Sequence, residues 1–288
     1  MSAIDDKLAR LDELLQELGS VLVCYSGGVD SAFILAAAHR VLGPRAVGMT
    51  AVSPSLAPSE LDDARRVATT IGADHRVVES QEIHDPNYQA NAPDRCFHCK
   101  SELYRIAEDR RRAWSLAAVV NGTNVDDLGD YRPGLAAAKN ASVRSPFVEL
   151  GFTKEDVREG ARRLGLEVWD KPAAACLSSR IPFGTRVTPE RLAQIGSFEA
   201  ALRGLGFRRV RVRFHPAGSN GDQAFARIEL DPSDIARASS DELREAIVEA
   251  GVKSGFLYVT IDLRGYRMGS HNETLPSKGR GPSLPVVR

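Results

Sequence analysis

A parallel-sheet α/β domain followed by a small α+β domain is the fold this sequence predicts, and three observations carry the prediction. Short apolar runs of strand type alternate with helical periodicities from residue 1 to about 170, as strands joined by crossover helices do. The turn SGGVDS at 26–31 stands between the first such run and a long apolar helix pattern. After a connector at 171–187, rich in proline and small residues, the pattern becomes one helix, two alternating strands, further helices and a last strand. A length of 288 residues suits two domains, at about 150 residues per domain.

Taken in order, Leu8, Leu11, Leu14, Leu15 and Leu18 recur at helical spacing, so residues 5–18 form an amphipathic helix that packs onto the first domain. Residues 21–25 (VLVCY) are a buried strand, and AFILAAAHRVL after the glycine turn is a helix. Strand signals return at 46–52, 76–78 and 116–121, and helical signals at 58–71, 99–113, 134–139 and 154–164, the last behind Thr153. This first domain covers 1–170. The second, 188–275, holds a helix at 189–205, strands at 208–214 and 225–230, helices at 233–250 and a strand at 256–263. Residues 276–288, with three prolines and two glycines and no periodicity, read as a frayed tail.

Hydrophobic residues make up 43% and charged residues 26%, which excludes disordered, collagen-like and membrane-spanning classes. Lys plus Arg (38) equals Asp plus Glu (38), so no global field favours nucleic acid or an anionic membrane, and a bound anion needs a local cluster. The first helix lacks the apolar core of a signal peptide, and no apolar run approaches the ~20 residues of a membrane span. The expected location is the cytoplasm. Four cysteines, Cys24, Cys96, Cys99 and Cys176, are too few for a disulfide scaffold and read as thiols with separate tasks. Cys24, inside VLVCY, reads as a small buried hydrophobe.

Ser26, Gly27, Gly28, Val29, Asp30 and Ser31 lie where glycines let the backbone approach an anion and the N–H groups of a helix start bind phosphate. No Gly-Lys-Ser/Thr comes after them, which excludes Walker A, and the third glycine of the dinucleotide fingerprint is missing. SGGVDS resembles the PP-loop of the ATP pyrophosphatases, which include GMP synthetase, NAD synthetase, asparagine synthetase and tRNA thiolases. The resemblance implies an adenine nucleotide α-hydrolase-like domain that grips the pyrophosphate of ATP while a substrate oxygen attacks the α-phosphorus, giving an adenylate. Downstream, Asn121, Gly122, Thr123, Asn124, Asp126 and Asp127 come after a strand, at the sheet edge where open α/β sheets bind ligands. Gly122, Thr123 and Asp127 are expected at ATP, and the adjacent carboxylates suit Mg²⁺ on the phosphates. A turn with an Asx cap is the other reading of these residues.

DRCFHCKSELY (94–104), NGTNVDDLGDYRPG (121–134), ACLSSRIPFGT (175–185) and DLRGYRMGSHNE (262–273) together resemble the LarE-type ATP-dependent sulfur transferases, which make the thiocarboxylates of the nickel-pincer cofactor of lactate racemase. The resemblance runs from SGGVDS to the last strand, with the loop HPAGSNGDQ (215–223) outside it. It implies adenylation of a carboxylate of pyridinium-3,5-biscarboxylic acid mononucleotide, attack by a sulfur donor, and release of AMP and the thiocarboxylate. It also implies contact with other maturation proteins of that cofactor and a second domain that binds substrate and forms homo-oligomers. Cys176 matches the cysteine that in some members attacks the adenylate and surrenders its sulfur, leaving dehydroalanine, with Arg180 and Lys171 supplying the positive charge that favours a thiolate. In other members a C-x-x-C pair joins it to hold a [4Fe-4S] cluster; here that set is Cys96, Cys99 and Cys176. A redox pair, or half of a zinc site with His98, are the other readings of C-x-x-C.

The period of two sends Val210, Val212 and Phe214 to one face of a strand and Arg209, Arg211 and Arg213 to the other. On the partner run Phe225, Arg227, Glu229 and Asp231 alternate with Ala226, Ile228 and Leu230. Cross-strand ion pairs on a solvated face account for this pattern without a ligand. The family resemblance implies instead that Arg180, Arg211 and Arg213 bind substrate, the last two at its phosphate, with Glu199, Glu229 or Asp231 balancing charge or holding a metal. Of the competing functions, a tRNA thiolase predicts a broad basic surface, which a net charge of zero does not favour. An amidotransferase-type synthetase needs a glutaminase for which no residues remain, and a regulatory ATP-binding protein predicts nucleotide binding without pyrophosphate release.

Overall fold

The computed structural model describes residues 3–129, 133–172, 174–218 and 223–267. The tail at 276–288, the end of the last motif at 268–273 and the loop centre at 219–222 lie outside the described residues. The chain forms two compact units, one of Met1–Asp85 with Asp94–Ala174, the other of Pro86–Pro93 with Ala175–Arg288. The octapeptide Pro86–Pro93 thus departs from the sequence reading, which gave 1–170 to one domain. Its tie is side-chain bonding to residues far ahead in the chain, which no local pattern reveals.

In the first unit the elements are Ala3–Leu18 (α1), Val21–Cys24 (β1), Val29–Leu42 (α2), Ala46–Val52 (β2), Pro58–Ile71 (α3) and Asp74–Glu79 (β3). After the four-residue Pro86–Gln89 (α4) of the other unit come Arg95–Ala113 (α5), Ala118–Val120 (β4), Pro133–Asn140 (α6), Pro146–Glu149 (α7) and Lys154–Arg163 (α8). The four strands form one sheet of order β3-β2-β1-β4, parallel throughout. β1 is central, with Val23 in register with Gly48 on one side and Val120 on the other. Covered on both faces, it is a continuous apolar run; β3, at the edge, alternates and leaves Val77 exposed. α2 is the buried central helix: Phe33 stacks on Phe147 at 5.0 Å, and Leu11 and Leu15 of α1 belong to the same core.

The second unit contains Pro189–Gly204 (α9), Val210–Ala217 (β5), Gln223–Leu230 (β6), Ile235–Ala238 (α10), Asp241–Lys253 (α11) and Tyr258–Ile261 (β7). Its sheet has the order β5-β6-β7, antiparallel then parallel. Val210, Val212, Phe214, Ala226, Ile228 and Leu230 are buried on the helix-covered face together with Leu192, Ile195, Phe198 and Leu202 of α9. Arg211 and Arg213 take the other face, in register with Glu229 and Arg227. The helical stretch expected at 233–250 is a short turn, α10 and α11. Ser240, with an extended backbone (φ −66°, ψ 152°), separates the two helices.

Candidate functional site

Strand order fixes where a ligand sits. β2 and β3 lie on one side of β1 and β4 on the other, so the loops after β1 and β4 diverge at the switch point where open α/β sheets bind ligands. Gly122 brings those loops together, and Gly27 sets the first of them against α3. A Cβ at Gly122 would lie 2.7 Å from the carbonyl carbon of Asp30, so only glycine lets the β4 loop lie against the first turn of α2. Gly27 has φ +76°, and a Cβ there would meet Ala64 of α3 at 2.8 Å. The loop is tied internally: the Ser31 hydroxyl donates to the Gly28 carbonyl (3.1 Å) and accepts from the Ser26 N–H (3.1 Å), while Thr50 Oγ1 donates to the Tyr25 carbonyl (2.8 Å).

Among the described residues no side chain caps α2 at Gly28. The starts of α3, α5 and α11 also lack a side-chain cap, whereas Thr153 and Asp156 form a capping box on α8 and Thr188 caps α9; what sets α2 apart is the glycine turn that leads into it. An uncapped helix start with its dipole is an anion site. Asp30, in the first turn, accepts from Asn124 Nδ2 (3.0 Å) and pairs with Lys154 Nζ (2.5 Å). The backbone N–H of the buried Asn124 donates to Asp127 Oδ2 (3.1 Å), so Asn124 bridges the two carboxylates, and that of Lys154 donates to Asp126 Oδ2 (2.6 Å). Both carboxylates are oxygen donors beside the glycine loop, Asp30 held by Asn124 and Lys154 and Asp127 by the Asn124 N–H. Lys154 escaped the sequence reading. It opens α8, where the helix dipole disfavours a cation, and a lysine set against the dipole was the available signal.

The cysteines divide between the units. Cys96 and Cys99 occupy the first turns of α5 in the first unit, Cys96 exposed and Cys99 half-buried; Cys176, exposed, belongs to the second. The ring nitrogens of His98 lie 3.8 Å from Asp85 and 3.6 Å from Asp94. Among the described residues no group of three or more His, Cys, Asp or Glu side chains is gathered to hold a metal ion. Burial, only partly offset by Lys100, pushes the Cys24 thiol up to about 12, as its reading as a small hydrophobe requires. Lys171 bonds Glu60 (3.0 Å) and Asp63 (2.8 Å) in the first unit; burial works against its charge, but these carboxylates outweigh it and raise its pKa.

In the second unit the arginines fall into two kinds. Arg180 grips Glu199 through Nε (2.8 Å) and Nη2 (3.2 Å), with both side chains buried, and Arg213 pairs with the fully buried Glu229 at 2.8 Å. Glu199 also accepts from the Val212 N–H (3.0 Å) and Arg203 (3.1 Å). Burial alone would raise the pKa of Glu199, but Arg180 and these donors hold it below the usual carboxylate range. Of the two roles the sequence reading offered, balancing charge or holding a metal, these ion pairs match the first. Asp231 caps the turn Pro232–Asp234 through Ser233 and lies 3.6 Å from Arg209 Nη1. Arg211 is of the other kind. Half-buried, it lies over the Tyr266 ring at 5.3 Å and has no carboxylate partner among the described residues; burial, then the charge of Arg180, lowers its pKa. The charge of Glu199 opposes that lowering without a direct ion pair, which leaves the guanidinium fork open to an oxyanion.

Residues 11–95, which include the glycine loop, match the asparagine synthase family model. The chain is 45% identical to an uncharacterized protein of Synechocystis sp. over 94% of its own length and 99% of that protein's. It is 37% identical to the pyridinium-3,5-bisthiocarboxylic acid mononucleotide synthase of Lactiplantibacillus plantarum over 96% of this chain and 97% of that one. A tRNA-specific 2-thiouridylase of Beijerinckia indica is 32% identical, over 54% of this chain and 44% of that one. With a glycine loop at the sheet's switch point and a near full-length match to the synthase, the chain belongs to the LarE-type ATP-dependent sulfur transferases of the PP-loop superfamily.

Proposed function

We propose that this protein uses ATP to adenylate a carboxylate of pyridinium-3,5-biscarboxylic acid mononucleotide and converts it to a thiocarboxylate with sulfur from Cys176. The observation that carries this reading is the uncapped start of α2 at SGGVDS, flanked by Asp30 and Lys154, in a chain so similar to a synthase of the bisthiocarboxylic acid. The product named for that relative has two thiocarboxylates, so its precursor by single-atom exchange is the dicarboxylate of the same skeleton. The N–H groups of residues 27–31 would hold the pyrophosphate, Asp30 and Asp127 would hold Mg²⁺, which neutralises the phosphates, and Lys154 would add a further positive charge. Gly122 and Thr123 line the nucleotide side.

A substrate carboxylate oxygen attacks the α-phosphorus and pyrophosphate leaves. The Cys176 thiolate then attacks the acyl carbon, breaking its bond to AMP and leaving a thioester. Loss of the Cys176 α-proton with cleavage of its Cβ–S bond gives the thiocarboxylate and dehydroalanine. Arg211, whose guanidinium has no direct ion pair among the described residues, takes the substrate phosphate. Incubation with ATP, Mg²⁺ and the mononucleotide should yield AMP and pyrophosphate, and ADP with phosphate would refute the assignment. A second reading, in which Cys96 and Cys99 join Cys176 at a [4Fe-4S] cluster or pass a persulfide, is favoured by one observation: the two thiols stand one turn apart at the start of α5. Iron content and visible absorption of protein prepared without oxygen, with the mass of Cys176 after turnover, decide between them. Among the described residues no helix is long and apolar enough to cross a membrane. A cytoplasmic homo-oligomer that meets other maturation proteins of the cofactor completes the proposal.

A further inference from the structure

Cys176 carries an exposed thiol on a backbone that is bonded at nearly every residue after it. It precedes a single turn, Leu177–Arg180, whose Leu177 and Ser178 are buried. Arg180 Nη1 donates to the carbonyls of Ala175 (2.7 Å) and Cys176 (3.0 Å) while its other nitrogens grip Glu199. Arg213 Nη1 donates to the Ser179 carbonyl (2.9 Å) while Nη2 holds Glu229. Ser178 bonds the Tyr88 hydroxyl (2.5 Å), and Asn91 donates to the carbonyls of Pro182 and Thr185, both at 2.9 Å. Tyr88 and Asn91 belong to Pro86–Pro93, the octapeptide that sits in this unit and not with its sequence neighbours.

Two buried Arg–Glu pairs are a poor route to stability, because desolvation offsets most of the Coulomb attraction, whereas a buried pair does give each guanidinium a fixed direction. Here both guanidinium groups are directed at the main chain on either side of the thiol-bearing turn. We infer that Arg180 and Arg213 are positioning residues for Cys176, each anchored on a buried glutamate and clamping the carbonyls of residues 175, 176 and 179. The inference rests on the reading of Cys176 as the attacking thiol, and it assigns Arg213 to the clamp and not to substrate phosphate. A nucleophile displaced by about 1 Å loses on the order of 10²-fold in rate, so a clamp acts on the sulfur step alone.

Arg180→Lys and Arg213→Lys, which keep the charge and lose the planar fork, test this in the full chain. Amide hydrogen exchange across residues 174–182 should quicken in both variants. In single turnover, pyrophosphate release should stay within about twofold of wild type, while thiocarboxylate formation falls roughly 10- to 100-fold with an unchanged KM for the mononucleotide. A raised KM with an unchanged transfer rate would make these residues substrate contacts and overturn the clamp. Equal loss of both steps with a lowered Tm would make the pairs merely structural and overturn it as well. If Cys176→Ser still transfers sulfur, the reading of Cys176 fails; unchanged exchange at 174–182 refutes the clamp on its own.

Discussion

The two units build their sites from different materials. In the first, six contiguous residues supply the anion site largely through backbone, with Gly27 where Ala64 approaches too closely for a Cβ and Gly122 of the β4 loop where the Asp30 carbonyl does. In the second, the Cys176 turn is held by side chains from four separate stretches: Tyr88 in α4, Glu199 in α9, Arg213 in β5 and Glu229 in β6. A backbone site survives loss of a neighbouring side chain as a fold while losing its chemistry. A site of buried ion pairs loses its fold with its partner. The contrast separates catalytic from structural effects by unit.

The largest effect expected is on activity. Asp30→Ala should cut pyrophosphate release by on the order of 10²–10³-fold or more and change stability by less than about 1 kcal/mol, since its pair with Lys154 is partly exposed. Lys154→Ala should cost less, roughly 10- to 150-fold. Single-turnover pyrophosphate release beside urea melts checks both; a loss of fold in Asp30→Ala would break the contrast. Glu199→Ala should show the reverse, since it leaves Arg180 buried and unpaired: about 3–5 kcal/mol of stability lost in denaturant melts. A melt like wild type would mean that the ion pair contributes little to the second unit's fold.

Arg211→Ala sharpens the comparison within the second unit. Lacking a carboxylate partner among the described residues, Arg211 should be removable at little cost in stability, with a roughly 10- to 150-fold weaker affinity for the mononucleotide and ATP affinity unmoved. Calorimetric titration with each ligand reads this directly, and equal weakening for both would return Arg211 to a general electrostatic role.

The smallest effect is the pH response, and its sign differs between units. Glu199 titrates below its usual 4.5, so it contributes stability that is present above that value and lost as pH falls through the lower folded value. Lys171 titrates above its usual 10.5, so its contribution is present below that value and lost as pH rises through the higher folded one. Thermal melts of Glu199→Gln should therefore depend less on pH in the acid range than wild type, and those of Lys171→Met less in the alkaline range. A flattening at the opposite end for either variant would contradict the assignment.

Much of this was legible beforehand, and unevenly. The limits of β2 and α3 match the sequence reading residue for residue, because proline and glycine bound a buried apolar run in one and a helical periodicity in the other. The alternation that sends Val212 inward sends Arg213 outward, and the sheet obeys it. The fate of those outward arginines was not legible. Period two gives a face, but only register sets Arg211 opposite Glu229, and only packing buries Arg213 on a carboxylate while it leaves Arg211 over an aromatic ring. The cap of Asp231 and the pairing of Lys171 with Glu60 and Asp63 likewise depend on how distant segments dock.

By itself, then, the sequence determined the parallel sheet, the glycine loop at a helix start and the family. Each rests on residues adjacent in the chain or on a periodicity that backbone geometry enforces. The tertiary structure alone decided that Pro86–Pro93 belongs with the second unit, that Lys154 reaches Asp30 across 124 residues, and which guanidinium groups are committed to buried carboxylates. Those are pairings between residues far apart in the chain. Their partners are chosen by strand order, register and burial, which no local pattern of residue types contains.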